Sequence, residues 1–402
     1  MTKKVALPKS RKEKKKNFAA LSIAMHKKHQ GKIQTTSLVP LRTIHDLSLA
    51  YTPGVAAVCT KIANDKKQAM DLTMKGRTIA VISDGSAVLG LGNIGPEAAL
   101  PVMEGKAALF KEFAGLDSIP IVLDTQDTEE IIKIVKAIAP GFGGINLEDI
   151  SAPRCFEIER RLIKELDIPV MHDDQHGTAI VVLAGLKNAL KIVKKNIKDV
   201  HIVFNGAGAA ATATIDLLIR AGATAKNIVA LDTKGIIHTI REDLNIEKRG
   251  LAELTNGRGI SGGIEVAMKD SDVFIGMSKG GILNAKMVNS MADQPIVFAL
   301  ANPDPEITYD DAKKTKAAVV GTGRSDYPNQ INNVLAFPGI FKGALAAKAT
   351  KITPEMKIAA ADAIANCVKK GDLLKGIIVP PALDRNVATI VARAVAKAAK
   401  SK

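Results

Sequence analysis

The stretch from Val170 to Val181, VMHDDQHGTAIV, sets two adjacent aspartates between two histidines, directly after a short apolar run. His172, Asp173, Asp174 and His176 therefore put four potential metal donors within one turn or two of chain. A plainer reading competes: Asp173 or Asp174 caps a helix starting near Gly177, and both histidines are loop residues. Taken alone, the stretch leaves both readings open.

Two glycine fingerprints of the G-x-G-x-x-G type compete for a phosphate-binding role. One is Gly90, Gly92 and Gly95; the other is Gly206, Gly208 and Ala211, with Ala209 and Ala210 between them. Context separates the two. VHIVFNGAGAAATATIDLLIRAGA runs from a strand into the first glycine and on into a helix without proline, and NIVALD then ends in Asp232, 24 residues after Gly208. That is a complete βαβ unit, in which backbone N–H groups at a helix start meet a pyrophosphate. The earlier glycines follow their strand at a distance and are expected to border a ligand as a loop. Asp232 stands where a carboxylate accepts from a ribose 2′-hydroxyl and repels a 2′-phosphate, which favours NAD. Lys234, two residues on, is expected to screen Asp232 and to let NADP be tolerated.

Lys106 is a third candidate. Leu109, Phe110 and Phe113 lie three, four and seven residues on, so this lysine shares the apolar stripe of its helix. Desolvation there would lower its pKa and make it a general base, whereas the plainer alternative is a side chain that snorkels out to water.

The elements that must position these groups alternate between strand and helix. From Gly76 onward the apolar runs TIAVIS, IPIVLD, GGINLED, IPVMHDD, VHIVFNG, NIVALD, DVFIGM, PIVFALANP and AAVVGTG read as strands of an α/β protein with mainly parallel sheets. FAALSIAMHKKHQG reads as a short helix stopped by Gly31, and the chain after Phe341 as helices with a basic end. KNALKIVKKNIKDV reads as an exposed connector between domains. A chain of 402 residues with 47% hydrophobic residues accommodates two or three domains, each with its own core.

Composition excludes several classes. No apolar run reaches the ~18 residues of a membrane span, and no signal peptide is visible, so an intracellular, cytoplasmic protein is expected. Cys59, Cys155 and Cys367 are widely spaced and are read as buried thiols rather than as a disulfide framework or a thiolate zinc site. The net charge of +15 owes +7 to residues 3–16, which carry eight positive charges and one negative. A lysine run without aromatics is expected to be a disordered, solvated tail rather than a nucleic-acid or membrane-binding element. The remaining positive charge suits small anionic ligands.

SLAYTPGVA, DGSAVLGLGNIGPEAALPVMEGKAALFKEFAG, INLEDISAP, MHDDQHGTAIV, GAGAAA, ALANPDPEI and NQINNVLAFPG match, in order, the blocks of malic enzyme in its short bacterial form. The sequence resembles that family from about residue 20 to the C-terminal region. The resemblance implies a tail at 1–16, an N-terminal α/β substrate and metal domain at 17–180, and a Rossmann-type doubly wound NAD(P)-binding domain with C-terminal helices at 181–402. It implies Mg²⁺ or Mn²⁺ held by Glu148, Asp149 and Asp174, with His172 and His176 not ligands; carboxylates suit such hard cations. Glu148 and Asp149 converge only if the strand ends there, with Ser151 as N-cap and Pro153 opening the next helix. The implied reaction is oxidative decarboxylation of L-malate to pyruvate and CO₂. Lys106 is its general base, Asp173 orients that lysine or relays the proton, Tyr51 protonates the enol, and Asn302 and Asn333 bind substrate. A homodimer with active sites shared between subunits is implied as well. Malolactic enzyme and oxaloacetate decarboxylase are rivals within the family, and a non-catalytic dinucleotide or nucleic-acid binder is a distant one.

Overall fold

The computed structural model describes residues 11–401, with side chains from Phe18 onward. The expectation of a disordered tail falls outside the described residues as far as Ser10. From Arg11 the backbone is already helical, through His29, so the helix expected after Asn17 begins earlier. Lys, Arg and Glu are strong helix formers, and the charged run continues the helix upstream. Gly31, at φ +113°, follows its end.

All nine expected strands are present and form two sheets. The first has the order β2-β1-β3-β4, built from β1 (Thr78–Ser83), β2 (Asp117–Val122), β3 (Gly144–Leu147) and β4 (Val170–His172), all parallel. The second has the order β10-β9-β8-β5-β6-β7. It contains β5 (Ile202–Asn205), β6 (Ile228–Asp232), β7 (Gly235–Ile236), β8 (Val273–Gly276), β9 (Ile296–Ala299) and β10 (Val319–Thr322). Only β7 runs antiparallel, as the return of a hairpin from β6. Its two residues are too few to show a period, so sequence pattern misses it. The inner strands read as unbroken apolar runs because helices cover both faces, and β1, β3, β5, β8 and β9 are buried throughout.

The helix Asp173–Val193 links the sheets and corrects the expected exposed connector. Asn188, Ala189, Leu190 and Val193 are buried, and the Asn188 amide donates to the carbonyls of Ala365 and Ile378, both at 2.9 Å. The helices Pro354–Asn366 and Ala209–Arg220 pack against it, which the lysines in that stretch conceal from a sequence reading. This helix is long and apolar enough to cross a membrane by length and composition, yet it opens on two aspartates and is largely enclosed by protein. A single apolar cluster runs from Ile79 in the first sheet to Val395 in the last helix, so the two halves share a core. Separate clusters back only the outer faces of each sheet. Of the cysteines, Cys155 is buried but Cys59 is exposed on the Val55–Asn64 helix, against expectation.

Phe110 joins the halves. It is fully buried, with its ring edge-on to Phe337 at 4.7 Å and to Phe341 at 5.5 Å. Phe110→Ala should cost ~3–5 kcal/mol, the usual price of emptying a buried aromatic site. Urea unfolding measures it, and a loss below ~1 kcal/mol would show that the site closes over the gap.

Candidate active site

Strands β1, β3 and β4 are parallel neighbours, so their C-terminal ends open on one edge, where α/β folds bind ligands. Leu147 pairs with His172, which places Glu148 beside Asp173 as the next residues out. β3 stops at Leu147, and Asp149 takes φ +54°, a left-handed conformation that aspartate tolerates better than most residues. That turn lets the neighbours Glu148 and Asp149 face the same point. The Asp149 N–H donates to Asp174 Oδ2 at 2.8 Å. Glu148, Asp149 and Asp174 thereby bring one carboxylate oxygen each to within 4.8 Å of one another, the one such group of potential metal donors among the described residues.

This set fits a hard divalent cation. All three donors are oxygens, and Asp149 Oδ2 is a buried acceptor without a hydrogen-bond partner. Burial, then the neighbouring Lys106 and carboxylates, act on Glu148, and the net effect lifts it well above the usual carboxylate range. Burial and the Asp174 charge push Asp149 up to about 8. Such a cluster lacks positive charge.

Lys106 comes from the helix Pro96–Leu109 and is 7% exposed. Its Nζ lies 2.6 Å from Asp173 Oδ2, 2.8 Å from Glu148 Oε1 and 4.3 Å from the centre of the Phe337 ring. Burial lowers its pKa, but Asp173, Glu148 and Asp174 outweigh burial and raise it above the ordinary lysine value. The expected neutral lysine is therefore corrected: in this charge environment the ammonium form is favoured. Asp173 is fully buried, and Asp173 Oδ2 also accepts from the Asn333 amide. Asn333, expected on the substrate, is turned toward Asp173 instead. Gly177 makes room for this, since a Cβ there would meet Asp173 Oδ1 at 2.0 Å.

The cap reading of the opening stretch does not hold, because the helix starts at Asp173 itself and His172 is an N-cap without a side-chain bond. Both aspartates occupy its first turn, where the dipole favours negative charge. Of the histidines, His176 is turned away, its Nε2 3.0 Å from Glu159 Oε2, whereas the buried His172 ring keeps Nδ1 3.6 Å from Asp174 Oδ2 while its backbone N–H donates to Glu159 Oε1 at 2.7 Å. Ser151 is not an N-cap either: the next helix starts at Arg154 after Pro153. The Arg154 guanidinium instead ties Asp84 at 2.9 Å to the hydroxyls of Ser86 and Ser151, each at 3.1 Å, bracing the turn that follows Glu148 and Asp149. Sequence reasoning missed Arg154, whose partners lie up to 70 residues away.

Asn302 follows β9 and is exposed; its carbonyl faces Gly90, where a Cβ would approach to 2.9 Å. The first glycine cluster is a loop, as expected, and Gly90 of it lies beside Asn302. Tyr51 is not brought to the cluster: it is 67% exposed, on an N-terminal arm whose helices Ile44–Ala50 and Val55–Asn64 bury no residue.

A cavity of about 910 Å³ opens at the ends of β5, β6 and β8. Gly206 and Gly208 line it. Gly206 has φ +122° and lies where a Cβ would be 2.9 Å from the Met277 carbonyl. Gly208 caps the helix Ala209–Arg220 without a side chain, so the N–H groups of Ala209, Ala210 and Ala211 open that helix. Lys234 lines the cavity, but its Nζ pairs with Asp243 at 3.0 Å rather than with Asp232. Arg241 and Lys248 hold Asp232 instead, and the charged run REDLNIEK was the only sequence trace of them.

The raised carboxyl of Asp149 gives a sign for metal binding. Below pH 8 it is protonated without the cation, so binding must release a proton; above pH 8 it need not. Mn²⁺ affinity, measured by calorimetry, should fall as pH drops from 8 to 6, by roughly tenfold per unit for the Asp149 proton and more steeply where the raised Glu148 releases one as well. A flat profile would show that Asp149 is already ionised.

Comparisons with known proteins identify the family. The malic enzyme N-terminal domain model matches residues 30–131 and 125–163, and the malic enzyme NAD-binding domain model matches residues 175–400. A bifunctional malic/malolactic enzyme of Bacillus subtilis is 55% identical over 94% of this chain and 92% of its own length. An NAD-dependent malic enzyme of Geobacillus stearothermophilus is 56% identical over 98% of this chain and 81% of its own. The crystal structure of an NAD-dependent malic enzyme from Thermotoga maritima superposes with a TM-score of 0.89 at 48% identity, covering 93% and 98% of the two chains. The two domain models together span most of the chain, and relatives more than half identical match it over nearly its whole length: the chain belongs to the malic enzyme family.

Proposed function

We propose that the chain catalyses the NAD(P)-dependent oxidative decarboxylation of L-malate to pyruvate and CO₂. The observation that carries this reading is Lys106, buried and shared between Asp173 and Glu148, with Glu148 also a member of the carboxylate trio. A proton acceptor and a cation site thus meet at one carboxylate. Glu148, Asp149 and Asp174 would hold Mg²⁺ or Mn²⁺, and the glycine turn at Gly206 and Gly208, with Ala209, Ala210 and Ala211, would hold the dinucleotide. When bound, the cation supplies Lewis-acid polarisation of the C2 oxygen and the dinucleotide supplies the hydride acceptor.

The chain's own groups handle the protons. Lys106 takes the proton of the C2 hydroxyl, and it does so as the neutral amine only when positive charge at Glu148 relieves the carboxylates that otherwise keep it protonated. Asp173, fixed by Asn333, orients the amine. After the C3–C4 bond breaks, Tyr51 protonates C3 of the enol. Asn302, beside the Gly90 loop, offers an amide to the substrate.

Tyr51 needs help to reach this site. Phe18, Leu38, Ile44, Leu49 and Tyr51 on the arm are each more than 60% exposed, an apolar surface that a second copy of the chain would cover. A homodimer in which Tyr51 of one copy serves Lys106 of the other accounts for both facts. The malolactic alternative is kept by the bifunctional relative from B. subtilis, and the products decide it.

Three outcomes check the reading. Purified protein with L-malate and Mn²⁺ should generate absorbance at 340 nm with NAD or NADP and release pyruvate; lactate without net reduced cofactor would replace this reading with the malolactic one. Asp174→Ala should lose turnover by two orders of magnitude or more, whereas His172→Asn should leave Mn²⁺ affinity within a few fold; loss of binding in the latter would make His172 a ligand. Co-folded Tyr51→Phe and Lys106→Ala subunits, each inactive alone, should recover about a quarter of wild-type turnover, because half the dimers are mixed and one of their two sites is intact. No recovery would place both residues in one subunit.

A further inference from the structure

The acid at the end of β6 is not free. Asp232 Oδ1 accepts from Arg241 Nη1 at 2.8 Å and from the Lys234 backbone N–H at 3.0 Å; Oδ2 accepts from Arg241 Nη2 at 3.0 Å and from Lys248 Nζ at 2.7 Å. A carboxylate offers about four acceptor sites, so this one is saturated. Its side chain is 7% exposed, and that of Arg241 is 10% exposed. Arg241 is in turn fixed by Asp243, with Nη2 2.7 Å from Asp243 Oδ2, and that carboxylate also holds Lys234 at 3.0 Å. Burial acts to raise the Asp232 pKa, but the Arg241 and Lys248 donors win and hold it at about 2.

A free carboxylate at this position accepts from an unphosphorylated ribose and repels a 2′-phosphate. Here an added hydroxyl would have to displace an existing donor. Around Asp232 the three cations Lys234, Arg241 and Lys248 outnumber the two carboxylates Asp232 and Asp243, leaving one positive charge in surplus. Lys234 and Lys248 line the cavity, as do Glu247, Glu265 and Lys279, whereas Arg241 does not.

We propose that Arg241, by saturating Asp232, converts an NAD-selecting acid into a mount for Lys248, so that the site accepts adenine dinucleotides carrying a 2′-phosphate at least as well as those without it. Arg241 is the positioning residue and Lys248 the group that meets the phosphate. The inference rests on the reading of this cavity as the dinucleotide site.

Calorimetry on the full-length protein tests it without turnover, using adenosine 2′,5′-bisphosphate and 5′-AMP as probes that differ only in the 2′-phosphate. The wild type should bind the bisphosphate no more weakly than 5′-AMP. In Arg241→Ala the ratio of the two affinities should fall about tenfold against the bisphosphate, because Asp232 is released with its charge unmasked. Lys248→Met, at a half-exposed position, should lower the same ratio and decides the matter if Arg241→Ala does not fold. The kcat/KM ratio of NADP to NAD should move in the same direction. A wild type that binds 5′-AMP at least tenfold better than the bisphosphate, or a ratio unmoved in both variants, overturns the proposal. Binding of neither probe would instead defeat the reading of the cavity itself.

Discussion

The buried contact of Lys106 with Asp173 and Glu148 ties the architecture together. One ammonium reaches from the helix Pro96–Leu109 to the end of β3 and to the start of the helix Asp173–Val193. Removing such charges from water is costly, and a buried ion pair is poor evidence of a gain in stability. The surrounding packing therefore has to enforce it. Phe337 lies against the ammonium, Phe110 stacks edge-on to Phe337, and Gly177 leaves the space that Asp173 occupies. The shared core beneath fixes these groups together, so the reactive cluster is assembled by the same contacts that join the two sheets.

Charge balance at this edge is deliberately incomplete. Four carboxylates, Glu148, Asp149, Asp173 and Asp174, converge near one lysine, and Asp149 keeps an unpartnered buried oxygen. Such an arrangement suits a cation, and Glu148 belongs both to the carboxylate trio and to the lysine contact. Any charge added on one side is felt on the other, so in the proposed reading one cluster would both hold the metal and set the proton affinity of Lys106. The cavity at the glycine turn shows the contrasting case: Asp232 is fully compensated by Arg241, Lys248 and a backbone N–H. One acid is left needing a partner and the other is supplied with all it can take.

The strands and their parallel arrangement were legible because apolar runs of four to six residues between glycine and proline signals are local features. The Rossmann-like turn was legible for the same reason: Gly206 and Gly208 act through the backbone of their own βαβ unit. So was the face of Lys106, through the spacing of Leu109, Phe110 and Phe113. The resemblance to a family supplied the residues that local pattern could not, including Glu148, Asp149 and Tyr51.

What only the tertiary structure decided concerns groups whose partners lie far along the chain. Sequence named Lys106 and the desolvation that lowers its proton affinity, because an apolar stripe implies burial, but not the opposing carboxylates, which follow β3 and β4 and raise it. It assigned Asp232 a free carboxylate and Lys234 the task of screening it; folding brought in Arg241 and Lys248 through a two-residue strand too short to detect. It read KNALKIVKKNIKDV as solvent-facing, since lysines at its surface hide a buried Asn188 that pins two later segments. Periodicity determines which way a side chain leaves its own element. What it meets there is set by the other elements, and electrostatic character follows from that meeting.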